Sequence, residues 1–267
     1  MTRLRVGLAL VGVLVLLGIL APVLAPYPPH VQPLDVLRNA APSLAHPLGT
    51  DPYSRDLLSR VLYGARVSLG IAILAVLMAV VVGVTVGVVS GWLGGLVDTV
   101  LMRMVDAALA VPRLFTVLVV LALWEHVTVP AIVAILGGTG WFAMSRLVRA
   151  EVRAMRARPW IAAVRAVGVP AGRIVVRHVL PNIAGPVIVV ATMGIGQVIL
   201  IEAGLSYLGL GVPQPTPSWG NIIADGQPLL RVAPWVAGGA GLALVMTVLA
   251  FTLVGDGLRQ RLDPRAS

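Results

Sequence analysis

Six long apolar runs constrain the fold of this chain more than any other feature of its sequence. A helix needs about 20 mostly apolar residues to cross the hydrocarbon core of a bilayer, and each run is about that long. Because the bilayer core offers no water to the backbone, such runs cross it as helices. The sequence therefore predicts an all-α integral membrane protein with six transmembrane helices. The runs occupy residues 6–25, 67–92, 99–124, 129–147, 183–205 and 232–255.

The overall composition indicates the same class of protein. Hydrophobic residues make up 58% of the chain and charged residues 12%, with a mean hydropathy of +0.95. Soluble domains average about 45–50% apolar and about 25% charged residues, so a soluble domain is excluded. A cleavable signal peptide is the alternative for the first run, which follows Arg3 and Arg5 and ends in small residues. The length of the run and the Pro26 that follows it favour a retained helix.

The distribution of charge predicts an orientation in the membrane. The twenty basic residues are all arginine, and they cluster at the ends of the apolar runs. This pattern follows the positive-inside rule, and it argues against nucleic acid as the partner of a chain whose net charge is +9. We therefore expect a multi-pass protein of a bacterial cytoplasmic membrane, with both termini, the tail 256–267 and the arginine-rich segment 146–181 in the cytoplasm. The extracytoplasmic loops are then 26–66, 125–128 and 206–231.

Several kinds of chemistry are excluded by residues that the sequence lacks. Without lysine no P-loop for nucleotides can form, because that motif ends in Gly-Lys-Ser/Thr. With no cysteine and four scattered histidines, no metal-ligand spacing is present. We therefore expect no enzymatic activity, no metal site and no cofactor on this chain.

The segment 146–181 has the sequence pattern of a helical hairpin, with eight arginines against one glutamate. Pro159 suits the first turn of a helix, Gly168 supplies a left-handed stop, and a second short helix over 171–179 is expected to end at Pro181. Residues spaced at i, i+3, i+4 and i+7 give the first helix an apolar face. That face consists of Trp160, Ala163, Val164 and Val167, and His178 belongs to the matching pattern of the second helix.

Periodicity and charge leave two interpretations of this hairpin open. In the first, it lies on anionic lipid, with its arginines toward the headgroups and Trp160 at the boundary. In the second, its apolar face inserts into a groove on a soluble protein.

Two features are associated with the second run. Thr50 is placed to cap a short interfacial helix in the loop that precedes it. Within the run, Gly83, Gly87 and Gly91 recur every four residues. Such a ridge of small residues favours close packing against a neighbouring span, and a hinge is the alternative.

Polar residues within the later runs are candidates for a translocation path. Asp98, Arg103, Asp106 and Arg113 lie in or beside the third run, where charges are costly. Asp106 is expected either to pair with Arg103, three residues away, or to line an inner vestibule.

The fifth run contributes the other candidates for the path. Met193 and Gln197 share a small, polar helix face, which favours a position along a pore. Glu202, near the outer boundary, is expected to be solvated, to contact a binding protein or to line the path for a cationic solute.

Three strings resemble one family of transporters, in the right order along the chain. Residues 46–70 (HPLGTDPYSRDLLSRVLYGARVSLG) and 201–226 (IEAGLSYLGLGVPQPTPSWGNIIADG) are similar to the dipeptide, oligopeptide and nickel branch of ABC importer permeases, specifically its C-type subunit. Residues 150–182 match the spacing of the loop by which such permeases engage their ATPase subunits. Ala162 stands where that family has a glutamate, so the polar contact of the glutamate is absent or is supplied by another residue.

The resemblance implies a type I ABC importer permease fold that couples to a motor on other chains. It implies a first transmembrane helix at 1–25, a loop with the interfacial helix at 26–66, and a permease core at 67–255. The implied partners are a homologous B-type permease, two ATPase subunits that hold ATP and Mg²⁺, and an extracytoplasmic substrate-binding protein. The residues implied in coupling are Trp160, Ala163, Val164, Val167, Gly168, His178 and Pro181.

The implied function is uptake of peptides or similar small solutes, and the same family also carries nickel, glutathione and sugars. A transporter driven by an ion gradient is the alternative. Such transporters place ionisable groups near the midplane of the bilayer. Here the charges of the spans cluster near the predicted boundaries, which favours the ATP-driven class.

Overall fold

The computed structural model describes residues 2–124 and 127–262. Its regular structure in those ranges is helical, apart from one isolated bridge between Thr50 and Asp56. Five helices are long and apolar enough to cross a membrane, and a sixth crossing results if one bent pair is counted as a single span. The predicted all-α fold is therefore confirmed. The helices are α1 (Thr2–Ile19), α2 (Ala21–Leu24), α3 (Leu57–Leu93), α4 (Gly95–Ala110), α5 (Arg113–Ala122), α6 (Val129–Arg156), α7 (Pro159–Ala166), α8 (Ala171–Ile174), α9 (Leu180–Tyr207), α10 (Trp219–Gly226) and α11 (Trp235–Leu262).

The second crossing begins earlier than predicted. No separate interfacial helix precedes it in the described loop; the residues expected to form one are the first turns of α3, which runs unbroken for 37 residues. Asp56 caps this helix by accepting a hydrogen bond from the Ser59 N–H at 2.8 Å. The predicted cap, Thr50, instead accepts from the Ala40 N–H and donates to the Leu37 carbonyl, both at 2.8 Å. Its hydroxyl thereby holds the preceding loop in place.

The third crossing is broken rather than continuous, which corrects the prediction of one span over 99–124. Helices α4 and α5 meet at an angle of 82°. The break falls at Val111 and Pro112, where Val111 is extended, as expected of a residue before proline. Pro112 then precedes the first turn of α5, where its missing N–H costs nothing.

Other helices extend past the predicted limits of the apolar runs. Helix α6 continues to Arg156, beyond the limit at 147, and α11 includes residues 256–262 of the predicted tail. The rest of that tail, and residues 125–126 of the predicted loop 125–128, lie outside the described residues.

The glycine ridge of α3 packs against α6, as predicted. A Cβ added at Gly83 would lie 2.7 Å from Met144, and one at Gly91 would lie 2.9 Å from the Arg149 carbonyl oxygen. Small residues at these positions let the two backbones approach. The arrangement supports the packing interpretation of the ridge.

We expect Gly87→Ala to destabilise the folded protein by about 1–3 kcal/mol, because the new methyl group overpacks the contact between α3 and α6. It would lie 2.6 Å from the Val148 Cβ and 2.7 Å from the Ser145 carbonyl oxygen. The measurement is the thermal unfolding midpoint of the purified protein in detergent. Gly70→Ala is the matched control on the same helix, because an added Cβ at Gly70 has no neighbour within 4 Å in the described structure. Equal midpoints for the two variants would contradict the packing role.

Helices from the two ends of the chain pack against each other. A Cβ at Gly7 of α1 would lie 2.8 Å from the Val254 N atom of α11, and one at Gly257 would lie 2.6 Å from the Leu4 Cβ. Helix α11 also packs on α9, where Met193 fills the space beside Gly255. The first and last crossings therefore form one layer beside α3 and α9.

Candidate coupling surface and translocation cavity

The segment after α6 forms the predicted hairpin, although its second arm does not end where we expected. Helix α7 is followed by Gly168, whose φ of +81° is the left-handed conformation that the sequence predicts. Helix α8 then passes through a π-helical turn, Val175–Val179, directly into α9. Pro181 therefore does not end a helix, which corrects the prediction. It lies in the first turns of α9, just after the wider π turn, where the usual clash of proline with the preceding turn is relieved.

The hairpin is anchored by apolar residues that lie beside the predicted stripe. Ile161, Ile174 and Val179 are fully buried in one cluster with Val148 and Val152 of α6. Sequence reasoning missed Ile161 because it falls between the stripe positions of α7. The sequence signal that could have indicated its burial is its position next to Trp160.

A second anchor is a cation–π contact between the hairpin and the end of α3. The guanidinium of Arg165 lies 4.3 Å from the centre of the Trp92 ring, and Trp92 is buried. Contacts of this type stabilise by about 0.5–2 kcal/mol, depending on how far the cation is desolvated. The hairpin is thus joined to α3 as well as to α6 and α9.

The predicted stripe of α7 faces outward. Trp160 is 38% exposed and Val167 is 81% exposed, whereas Val164 is half-buried. His178 of the second arm lies edge-on to Trp160, with ring centres 5.7 Å apart. We call three exposed residues, Trp160, Ala163 and Val167, together with the half-buried His178 the coupling surface; it is a largely apolar patch without a cover in the described chain.

The carboxylate of Asp98 joins three helices near the hairpin. It accepts hydrogen bonds from Arg149 of α6, one of them at 2.6 Å, and from the Ser90 hydroxyl of α3. Arg153 of α6 approaches the same carboxylate at 3.5 Å. Asp98 is 7% exposed, so these contacts are partly shielded from water.

We expect Asp98→Asn to destabilise the protein by about 2 kcal/mol, because it removes charge-assisted hydrogen bonds and leaves Arg149 without its counter-ion. The matched control is Asp106→Asn, which removes the same charge from the same helix at a site where both partners are about half exposed. Exposed pairs contribute below about 1 kcal/mol. Chemical denaturation in detergent measures both variants; an Asp106 variant as unstable as the Asp98 variant would contradict the assignment.

Asp106 does not pair with Arg103, so that prediction was wrong. Its carboxylate instead accepts a hydrogen bond from Arg146 of α6. Spacing along one helix indicated Arg103, but the packing of α4 on α6 brings Arg146 closer. Asp106 lies outside the wall of the cavity described below.

A cavity of about 190 Å³ lies between α3, α6 and α9, next to the break between α4 and α5. Gln197 is part of its wall, together with Gly194, Thr139 and Arg113. The other predicted path residues of α9 lie elsewhere. Met193 faces Gly255 of α11, away from this wall.

Glu202 is neither solvated nor part of that wall, which corrects its expected position. It is 1% exposed and accepts hydrogen bonds from the Ser68 hydroxyl at 3.2 Å and the Ser206 hydroxyl at 2.8 Å. Trp219 of α10 donates its backbone N–H to Ser68 at 3.2 Å. Glu202 therefore joins α3, α9 and α10.

The end of the bundle opposite the hairpin contains a buried ionic cluster. Arg55 donates to Asp51 at 2.6 Å, and the Arg60 Nε lies 3.3 Å from the same Asp51 oxygen. Asp225 of α10 lies farther from the two guanidinium groups, at 3.4 and 3.9 Å, and burial raises the pKa of its carboxyl group. Gln214 donates to Asp225 at 3.0 Å. These five residues, which we call the loop cluster, tie the loop before α3 to the loop and helix after α9.

Comparison with protein families places most of the chain in one group. Residues 83–267 match the family described as binding-protein-dependent transport system inner membrane component. Residues 4–42 match the N-terminal TM domain of oligopeptide transport permease C. The two matches together include both terminal helices and the hairpin.

Curated relatives align along nearly the whole chain. A dipeptide transport system permease protein, DppC, of Alkalihalophilus pseudofirmus is 36% identical over 97% of this chain and 85% of its own length. An oligopeptide transport system permease protein, OppC, of Bacillus subtilis is 35% identical over the same shares. A putative peptide permease protein of Brucella suis biovar 1 is 38% identical over 97% of this chain and 86% of its own length.

Proposed function

The chain belongs to the family of binding-protein-dependent transport system inner membrane components, and from that premise we propose that it imports peptides with the help of separate ATPase subunits. It is a permease subunit of an ABC importer and a multi-pass protein of the inner membrane. The relatives named for dipeptide and oligopeptide transport support peptides as the solute class. In this proposal the chain forms half of the translocation path and a homologous B-type permease forms the other half.

The coupling surface is the proposed docking site for an ATPase subunit. The observation that carries this proposal is an outward-facing apolar patch on a hairpin whose other side is fully buried. An apolar helix face of this kind fits a groove in a partner protein. The partner supplies ATP and Mg²⁺, and an extracytoplasmic binding protein delivers the solute at the opposite end of the bundle.

The proposed orientation puts the hairpin in the cytoplasm. Arg146, Arg149, Arg153 and Arg156 line the end of α6 that leads into it. Arg3 and Arg5 begin α1, and Arg259 and Arg261 end α11. The arginine-rich ends of membrane-spanning helices lie preferentially on the cytoplasmic side. Both termini then lie on the same side as the ATPase subunits.

Movement of the hairpin reaches the spans through its three attachments. Closure of the ATPase pair on ATP displaces the coupling surface, and the Arg165 contact with Trp92 transmits the displacement to α3. The buried contact of Ile161 transmits it to α6, and the unbroken backbone after Val175 transmits it to α9. Rocking of these helices against the B-type subunit gives alternating access.

The test is uptake by the assembled importer in proteoliposomes. A library of di- to pentapeptides is supplied with the cognate binding protein, and accumulated peptides are identified by mass spectrometry. We expect accumulation that requires both ATP on the side of the ATPase subunits and the binding protein on the opposite side. Accumulation that persists when both ATP and the binding protein are omitted would favour a transporter driven by an ion gradient.

A further inference from the structure

The wall of the cavity contains a cation at the level of the membrane interior. Arg113, at the first position of α5, extends into the space beside α6. With a rise of about 1.5 Å per residue, its contact Leu136 lies about 10 Å along α6 from the start of that helix at Val129. Gln197 lies about 15 Å from the end of α9 by the same measure. The hydrocarbon core is about 30 Å thick, so the cavity is close to its middle.

This position corrects the expectation that the charges of the spans cluster near the membrane boundaries. The contacts of Arg113 in the described residues are with neutral oxygens. Its guanidinium donates to the Leu136 carbonyl at 2.6 Å and to the Thr139 hydroxyl at 3.3 Å. Within residues 2–124 and 127–262, no carboxylate lies within ion-pair distance of it.

Hydrogen bonding to a carbonyl does not by itself explain a full positive charge at this depth. A neutral amide would donate to the same oxygen without the cost of desolvating an ion. Charged residues within membrane spans face protein interiors or water-filled cavities and are associated with transport paths. The positive charge of Arg113 therefore points to an anionic group from outside the described residues.

The helices around Arg113 leave room for its guanidinium. A Cβ added at Gly140 would lie 3.1 Å from a terminal nitrogen of Arg113 and 3.1 Å from the Ala79 Cβ. The lack of a side chain at Gly140 thus leaves room for the guanidinium beside α6. The remaining polar groups of the wall, Thr116, Thr139 and Gln197, are uncharged.

We propose that Arg113 binds the carboxylate of the transported solute as it passes the cavity, so that this chain itself selects for an anionic terminus. The proposal rests on the proposed function in taking a peptide as the solute, whose C-terminal carboxylate is the expected group. The guanidinium offers two parallel N–H donors, which match the two oxygens of a carboxylate. Gln197 and Thr139 supply neutral hydrogen-bonding groups beside that ion pair.

The experiment measures the charge selectivity of the cavity directly. The native chain has no cysteine, so Gln197→Cys introduces a single reporter thiol into the cavity wall. In the assembled importer, this thiol is treated with an anionic and with a cationic methanethiosulfonate reagent of similar size. The rate of each reaction is read from the intact mass of this chain, which keeps cysteines of other subunits out of the measurement.

We expect the ratio of the anionic to the cationic rate to fall about tenfold when Arg113→Gln is added, because Arg113 is the charged group of the cavity wall and a charged cleft with low-dielectric walls concentrates counter-ions by about tenfold or more. Arg113→Lys retains the charge and should keep most of the ratio. Arg103→Gln is the matched control, because it removes an exposed arginine from the same broken span outside the cavity wall. An unchanged ratio in the Arg113→Gln background would overturn the proposal.

A transport measurement connects the charge to the solute. Uptake of trialanine is compared with uptake of its C-terminal amide, at saturating binding protein, in native and Arg113→Gln importers. The preference for the free acid should fall about tenfold in the variant. The same preference in both importers would overturn the assignment to the carboxylate. A native importer without any ATP-dependent uptake would instead refute the proposed function, while the reagent ratio would still report on Arg113.

Discussion

Replacing Ala163 by aspartate is expected to abolish stable association of the permease with its ATPase subunits and to reduce uptake at least a hundredfold. Ala163 lies on the exposed coupling surface between Trp160 and Val167. Docking would bury the new carboxylate among apolar groups without a partner, and an unpaired buried charge costs several kcal/mol. A loss of that size corresponds to at least a hundredfold weaker binding. Co-purification of the ATPase subunits from detergent extracts measures it.

The matched control is Ala162→Glu, which introduces the same charge one residue earlier. Ala162 is exposed and lies about 100° around α7 from Ala163, away from the stripe. It also stands at the position where the resembling permeases have a glutamate, so the carboxylate should be tolerated. Retained association of the Ala163→Asp variant would contradict the docking role. Equal loss in both variants, deepened by high salt and by removal of arginines, would instead support a hairpin that binds anionic lipid through its arginines.

Asp51→Asn is expected to have the largest effect on stability, about 3–5 kcal/mol. Asp51 is the closest counter-ion of Arg55 and Arg60, whose side chains are 2% and 0% exposed. Without its charge, two buried guanidinium groups would share the more distant Asp225. Asp51 also accepts the backbone N–H groups of Tyr53 and Arg55 at 2.8 and 2.9 Å, so the start of α3 would lose its support as well.

The yield of folded protein and its thermal unfolding midpoint measure this effect. Asp35→Asn is the control, because it removes the same charge from an exposed position of the same loop. We expect it to leave both quantities unchanged. A stable Asp51 variant would show that Asp225 alone compensates both arginines, and Asp51→Asn combined with Asp225→Asn would then reveal the shared role.

The class of fold could be predicted because membrane crossing imposes a length and a polarity on every span. Local signals were also sufficient for Gly168, whose left-handed turn depends on its own backbone. The ridge of Gly83, Gly87 and Gly91 could also be predicted locally, because its spacing alone places the three glycines on one helix face. The assignment to the permease family is confirmed by the matches to the family and its relatives.

Features that depend on contacts between distant residues could not be predicted. Asp106 pairs with Arg146, 40 residues away along the chain, and not with Arg103 on its own helix. Asp56 rather than Thr50 caps α3, because the fold of the preceding loop occupies the Thr50 hydroxyl. The roles of the coupling surface and of Gln197 stay predictions, which the experiments above address.

The π turn after α8 joins the second arm of the hairpin to α9 in one continuous helical path. From Val175 to Gln197 the helix is about 33 Å long at a rise of about 1.5 Å per residue. A tilt of about 10° about its lower end would swing Gln197 sideways by about 6 Å, which is close to the width of a peptide chain. A small rotation imposed from below is therefore enough to open or close a passage halfway across the bilayer, and Pro186, inside α9, is the point of the helix at which part of that rotation would be taken up by bending.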